Sequence, residues 1–571
     1  MENNLRKYLF KNKIMMAFFI LLVPLSCFFS IKFALSFEPV INSAINKNLN
    51  MLKISAMWCG IYAILDCFFL LIVKYIKENI LKETFVNLKN QLFTKILKFN
   101  TEAFNEFNTG TYISILDNDV KLLGDSYYNN ILSLYNVIVS FIFSFITVFF
   151  LNYTITIILI MVAVSSIIIP KFFDKKLANL QEKYSENMKR YTSQIKDFFD
   201  GFQVIKSFNI QDKIIRSNAK LNKIREESGC EARKTIYLVG WISMLFSSAM
   251  YVITYVIGGY FAIIGAISVG LVISLSQLIG GVVAPLEQVP AILAEINSTL
   301  KIRNKLEQII NKEVHEEKGQ DLRDLPLEVL IKNISFNYKN SEVMALNNIN
   351  MKFKEGKQYA IVGESGSGKS TIAKLLLNFY KYNNGEIKIN DIEISKIDSS
   401  YLYKTIGYIH QNIFLFDDTL KNNITLYNKY SDKEIMDVIE ASGLSEFIKR
   451  LPKGLNTNVG ENGSIFSGGE RQRIGIARAL ICKAKFLILD EATSSLDNIT
   501  ANEINNRVLS LQDTSTIVIT HQLSYNLLSK CDYIYVMKNG RIIEEGNLEE
   551  LIDNKLYFYN LYNVNEKYII W

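Results

Sequence analysis

Cysteine is scarce in this chain, and its six residues are badly placed for chemistry. No two form a CxxC pair; Cys27, Cys59 and Cys67 lie in apolar runs, and Cys230, Cys482 and Cys531 are scattered beyond them. That spacing excludes a disulfide framework and a zinc site, and leaves inert, buried thiols. Histidine is rarer still, with three residues. Proline is also rare, 7 in 571 residues, and the accompanying Lys-, Asn- and Ile-rich usage suggests an AT-rich bacterial genome. No cleavable signal peptide is expected, because more apolar segments follow the first one.

Apolar residues, by contrast, are abundant. They make up 49% of the chain, with 36 Phe and 30 Tyr, more than a soluble protein of this length needs. They concentrate in the first half, in six stretches at roughly 14–36, 54–73, 131–151, 154–173, 236–262 and 267–291. Each is near the ~20 residues a helix needs to cross a bilayer, and helices satisfy their own backbone groups there. Two long polar loops, 74–130 and 174–235, separate these spans and carry helical spacing of apolar and charged positions. Basic residues gather on one side: Arg6, Lys7, Lys11 and Lys13 before the first span, Lys74, Lys77, Lys82 and Lys89 after the second, and Lys183, Lys189 and Arg190 in the second loop. Both termini and both loops are therefore expected in the cytoplasm. The formal charge of +7 records this topology, and no nucleic-acid partner is expected.

From about Lys301 to Leu325 the sequence turns strongly charged, as a linker does. Short β-rich runs then alternate with helical patterns, which predicts an α/β domain with a largely parallel sheet. The expected organisation is a six-helix, all-α membrane domain with long cytoplasmic extensions (1–310), a linker (311–327) and the α/β domain (328–571).

Gly363-Glu364-Ser365-Gly366-Ser367-Gly368-Lys369-Ser370 fits G-x4-G-K-[ST] between a strand and a helix that opens with Thr371. Such a loop turns its N–H groups onto phosphate oxygens, with Lys369 reaching the β- and γ-phosphates and Ser370 ligating Mg²⁺. Downstream, the apolar strand Phe486–Leu489 ends in two carboxylates. Asp490 is placed to hold Mg²⁺ through water and Glu491 to polarise an attacking water. His521 follows a second strand, where a γ-phosphate contact is needed. Ser467, Gly468 and Gly469 form another phosphate-facing loop at the start of a helix. One nucleotide does not need two such loops, so this one is expected to close on the nucleotide of a second copy.

As a set these motifs resemble the ABC (ATP-binding cassette) ATPase domain, and the spans before them resemble the exporter-type (type IV) membrane domain. The resemblance covers nearly the whole chain. It implies an ATP hydrolase that moves a hydrophobic or amphipathic compound, a drug, lipid or peptide, by alternating access. The implied setting is the plasma membrane, with the ATPase domain cytoplasmic. The implied cofactors are ATP and Mg²⁺, and the implied partner is a second half-transporter, identical or paralogous. A siderophore-type importer on the same fold is the alternative. By resemblance Tyr338 stacks on adenine, Gln411 senses Mg²⁺ as the Q-loop, Ser494–Asp497 is the D-loop, His521 is the switch, and segments near 109–117 and 201–208 are coupling helices. Phe466 and Glu470 depart from the usual Leu and Gln that flank the signature glycines. Asp66 and Glu287 are the ionisable residues within spans that could face substrate.

Overall fold

The computed structural model describes residues 3–157, 172–312, 327–339, 341, 343–493, 496, 498–511 and 514–567. They form two compact units. One comprises Met1–Lys98 and Phe107–Lys312; the other comprises Phe99–Glu106 and Glu313–Trp571.

The first unit is wholly helical. Five of its helices are long and apolar enough to cross a membrane: Lys13–Ile45, Leu49–Leu97, Thr109–Leu151, Gln211–Ile263 and Val269–Ser298. They cover five of the six expected spans, and most of the remaining one, 154–173, lies outside the described residues. Leu49–Leu97 runs 49 residues without a break, about 70 Å at 1.5 Å per residue. Its first half is apolar and its second half is lysine-rich, and no Gly or Pro falls between Lys74 and Leu97. One continuous helix therefore serves as both span and cytoplasmic stalk. Asp174–Asp200 packs along Gln211–Ile263 to make the other stalk, and the short helix Phe202–Ser207 lies between them.

Within this bundle Val269–Ser298 is central: 65% of its apolar window is buried, against 6% for Leu49–Leu97. Leu275, Leu278 and Ile279 pack there with Val148, Ile155 and Met250. The other helices leave large apolar side chains such as Phe150 and Ile263 exposed, as lipid contact allows.

Just before the expected coupling segment 109–117, which carries the short helix Thr109–Ser114, a stretch of this stalk groups with the second unit. The residues that group with the second unit are Phe99–Glu106, which carry the helix Thr101–Phe104 capped by the Asn100 side chain. Asn105 Nδ2 donates to Tyr380 Oη at 3.0 Å, and Glu106 pairs with Lys339 at 3.6 Å.

The second unit holds two sheets. Strands β3 (Gln358–Gly363), β6 (Ile406–Ile409), β7 (Phe486–Asp490), β8 (Ser515–Thr520), β9 (Tyr533–Lys538) and β10 (Arg541–Gly546) make a sheet in the order β10-β9-β3-β8-β7-β6. All its pairs are parallel except β10 with β9. Every residue of β7 and β8 is buried, the mark of strands covered on both faces. The second sheet, in the order β2-β1-β4-β5, joins β1 (Glu328–Phe336), β2 (Leu346–Lys354), β4 (Asn384–Ile389) and β5 (Ile392–Glu393). It is antiparallel throughout, so the expectation of one largely parallel sheet holds for the six-stranded layer alone. Its inner face packs Phe336, Ile349 and Phe353 against Ile361, Ile488 and Tyr535 of the other.

Candidate functional site

The site is built at the C-terminal ends of β3 and β7, where open α/β sheets place their ligand crevices. After β3 the chain must turn sharply and then enter the helix Lys369–Leu376. Gly363 sits at φ 150° and Gly368 at φ 101°. A Cβ at Gly363 would lie 2.2 Å from the Met537 carbonyl oxygen, and one at Gly368 would lie 2.6 Å from that of Ala345. Both positions thus require glycine sterically as well as conformationally. Glu364, Ser365 and Gly366 form the exposed crest of the loop, while Ser367 is buried beneath it.

Lys369 is itself buried. Its ammonium donates to the carbonyls of Gly363 at 2.9 Å and Glu364 at 2.8 Å. Burial pushes its pKa below the ordinary lysine range, opposed by the negative charges of Glu491 and Asp490. At the crest, Tyr557 donates to the Glu364 carboxylate at 2.7 Å. Burial, together with that carboxylate, lifts the Tyr557 hydroxyl to about 12.

The two carboxylates at the end of β7 are separated by the backbone. Asp490 is buried; it accepts from Ser370 Oγ at 2.8 Å through Oδ1 and from Tyr408 Oη at 2.8 Å through Oδ2. Burial first, and then the charge of Asp490, hold the Tyr408 hydroxyl protonated well above its usual range. Glu491 stands at φ 51°, a left-handed conformation costing a side-chain-bearing residue about 1–3 kcal/mol. Its N–H donates to Ile519 O at 2.9 Å, which ties the strained residue to β8. The turn carries the Glu491 carboxylate away from Asp490 and onto two other residues: Gln411 Nε2 donates to it at 2.6 Å, and His521 Nδ1 lies 3.0 Å from it.

Tyr338 makes a 3.2 Å hydroxyl contact with Thr371 Oγ1. Its ring stands edge-on to Phe336 and Tyr380 at 4.9 and 5.3 Å. Ser467 caps the helix Gly468–Ile481 and remains exposed. The unusual flanks of this motif have structural roles. Glu470 accepts from the Ser467 N–H at 2.8 Å while its own N–H donates to Ser467 Oγ at 3.3 Å, a reciprocal capping box. Phe466 is buried edge-on to Phe447 at 5.1 Å. Neither departure disturbs Gly468 or Gly469.

The fold therefore bonds Ser370 to Asp490 and both Gln411 and His521 to Glu491 around one end of the sheet, with Lys369 held by the carbonyls of its own loop. Among the described residues, the recorded bonds of Ser467 lie within its own helix start. Ser494, Ser495 and Asp497 lie outside the described residues, as does the Glu287 side chain. Two residues that sequence reasoning missed complete the site, Tyr408 on Asp490 and Tyr557 on Glu364. Tyr408 reaches Asp490 through the pairing of β6 with β7, which no local motif signals.

Oxygen donors from Ser370 and Asp490 suit a hard cation such as Mg²⁺. Among the described residues no cluster of three His, Cys, Asp or Glu side chains could hold a metal. A cation here would therefore draw the rest of its shell from ligands outside the protein, water or phosphate oxygens.

Residues 346–494 match the ABC transporter family, and residues 16–286 match the ABC transporter transmembrane region. The chain is 31% identical over 482 residues to ATP-dependent lipid A-core flippase 1 of Colwellia psychrerythraea, covering 82% of this chain and 79% of that one. It is 28% identical over 483 residues to the ATP-dependent lipid A-core flippase of Escherichia coli K12, covering 84% and 83%. In fold it is similar to a bacterial Atm1-family ABC exporter solved with ATP bound, with a TM-score of 0.81 at 21% identity over 97% of this chain and 99% of that one.

Proposed function

The chain belongs to the ABC transporter family, and from that premise we propose that it exports a lipid or similarly amphipathic compound as one half of a two-chain transporter. It is a multi-pass membrane protein that couples ATP hydrolysis to transport and carries its ATPase in the cytoplasm. One observation supports the catalytic reading above the others: the left-handed turn at Glu491 parts the two carboxylates, one toward Ser370 and one toward Gln411 and His521.

In this reading the loop 363–370 binds the ATP phosphates through its N–H groups and Lys369, and Tyr338 stacks on adenine. Ser370, Asp490 and Gln411 would hold Mg²⁺, which when bound neutralises phosphate charge. Glu491 orients and polarises the attacking water, and His521, hydrogen-bonded to it, contacts the γ-phosphate. Ser467, Gly468 and Gly469 close on the nucleotide of the second chain, so two ATP molecules are sandwiched between two copies. Closure is passed on by Phe99–Glu106, which groups with the ATPase unit yet joins two membrane-crossing helices. The segment 201–208 serves the other stalk. The membrane part occupies 1–310, the linker 311–327 and the ATPase 328–571. The relatives named above are flippases and an exporter, and the importer alternative finds no support among them.

The reading is tested by the ATPase rate of the purified chain alone in lipid nanodiscs. Hydrolysis that rises on adding lipid-like amphiphiles is expected of a working homodimer. A folded, ATP-binding but inactive chain would overturn the homodimer and require a paralogous partner.

A further inference from the structure

Asp66 lies within the apolar part of Leu49–Leu97, eight residues before Lys74. Beside it is a cavity of about 300 Å³ inside the helical unit, walled in part by Ser30, Asn136, Ser140 and Gln277. That volume is at the lower end of small-molecule sites. Ser30 and Asp66 share the wall of this cavity. Oδ1 of the Asp66 carboxylate is shielded from solvent and has no hydrogen-bond partner among the described residues.

A carboxylate at this depth is costly unless something compensates its charge. The cavity's other titratable side chains are Cys27 and Lys74. Lys74 is exposed and lies about 12 Å further along the helix axis at 1.5 Å per residue, too far for a direct pair between backbone positions. The remaining polar lining consists of hydroxyls and amides, which solvate a ligand's polar group without competing for its charge. Gly280, Gly281 and Ala284 keep one wall low. A positive group entering this cavity beside Asp66 meets an unsatisfied carboxylate oxygen, whereas a negative group there meets repulsion, the one lysine among the lining residues, Lys74, lying two helical turns further along.

We propose that this cavity is a binding subsite for the positively charged group of an amphipathic cation, with Asp66 as its counter-ion. The proposal deepens the export reading and rests on it for its purpose, but binding can be measured without hydrolysis. The probes are tetraphenylphosphonium and tetraphenylborate, of similar shape and opposite charge, in equilibrium binding to the full chain in nanodiscs. The parent is expected to hold the cation at least about tenfold tighter than the anion. D66N should lose that preference, and D66E should recover part of it. Because D66N could fail to fold, S140L provides a second arm: it keeps the carboxylate but fills the cavity, and it should abolish cation binding. Equal binding of the two ions by the parent, or parental cation binding in D66N or S140L, would overturn the proposal. ATP-driven movement of other amphiphiles, with no charge preference at Asp66, would strike this inference alone. A retained preference without any ATP-driven movement would strike the export reading alone.

Discussion

The two units of this chain reveal their purposes unequally, and the reason is physical. In the ATPase unit, function depends on backbone conformations that few residues can adopt. Gly363 and Gly368 stand where a Cβ would collide with main-chain oxygens, so the residues permitted there are restricted and the motif keeps its spelling. In the helical unit the requirement is transfer into hydrocarbon, which Leu, Ile, Phe and Val all meet. The architecture of that unit is therefore legible from composition, while its ligand is carried by a few polar residues set among interchangeable ones. A nucleotide site is specified by stereochemistry, and a membrane bundle by solubility.

That contrast can be tested at its strong end first. E491Q removes a charge but leaves size and backbone nearly unchanged. Hydrolysis should fall by about a hundredfold or more, measured as phosphate release, while ATP binding persists; near-parental turnover would return Glu491 to an ordinary strand-end residue. A smaller effect is expected from Y408F, which deletes one of the two hydroxyl bonds to Asp490. A bond to a charged group is worth about 1.5–3 kcal/mol, so catalysis should weaken by about ten- to a hundredfold, with the loss eased by raising Mg²⁺. A loss that Mg²⁺ leaves unchanged would assign Tyr408 to packing alone.

Much of this site was legible in the sequence, because Lys369, Ser370, Asp490 and Glu491 lie in short contiguous motifs. What escaped depends on tertiary register. Tyr408 reaches Asp490 because β6 pairs in parallel with β7, placing Tyr408 opposite Ile488. No local spacing encodes that neighbour. The antiparallel sheet escaped for a different reason. Its alternation in β1 is broken at Asn333, which has φ 52°, where the register shifts against both β2 and β4. A bulge of this kind resets the two-residue period on which strand reading rests. At the end of the first stalk Asn100 and Asn108 each cap a short helix. Two candidate docking segments therefore lie close together, and the contacts of Asn105 with Tyr380 and of Glu106 with Lys339 belong to the first.

The central claim is that hydrolysis at Glu491 drives an amphipathic compound across the membrane. Its most direct test uses proteoliposomes holding the parent chain or E491Q and a fluorescent phospholipid, whose change of leaflet is followed by quenching. The account predicts ATP-dependent movement with the parent and none with E491Q. Equal movement with both, or vigorous ATP hydrolysis by the parent that never moves the lipid, would contradict it.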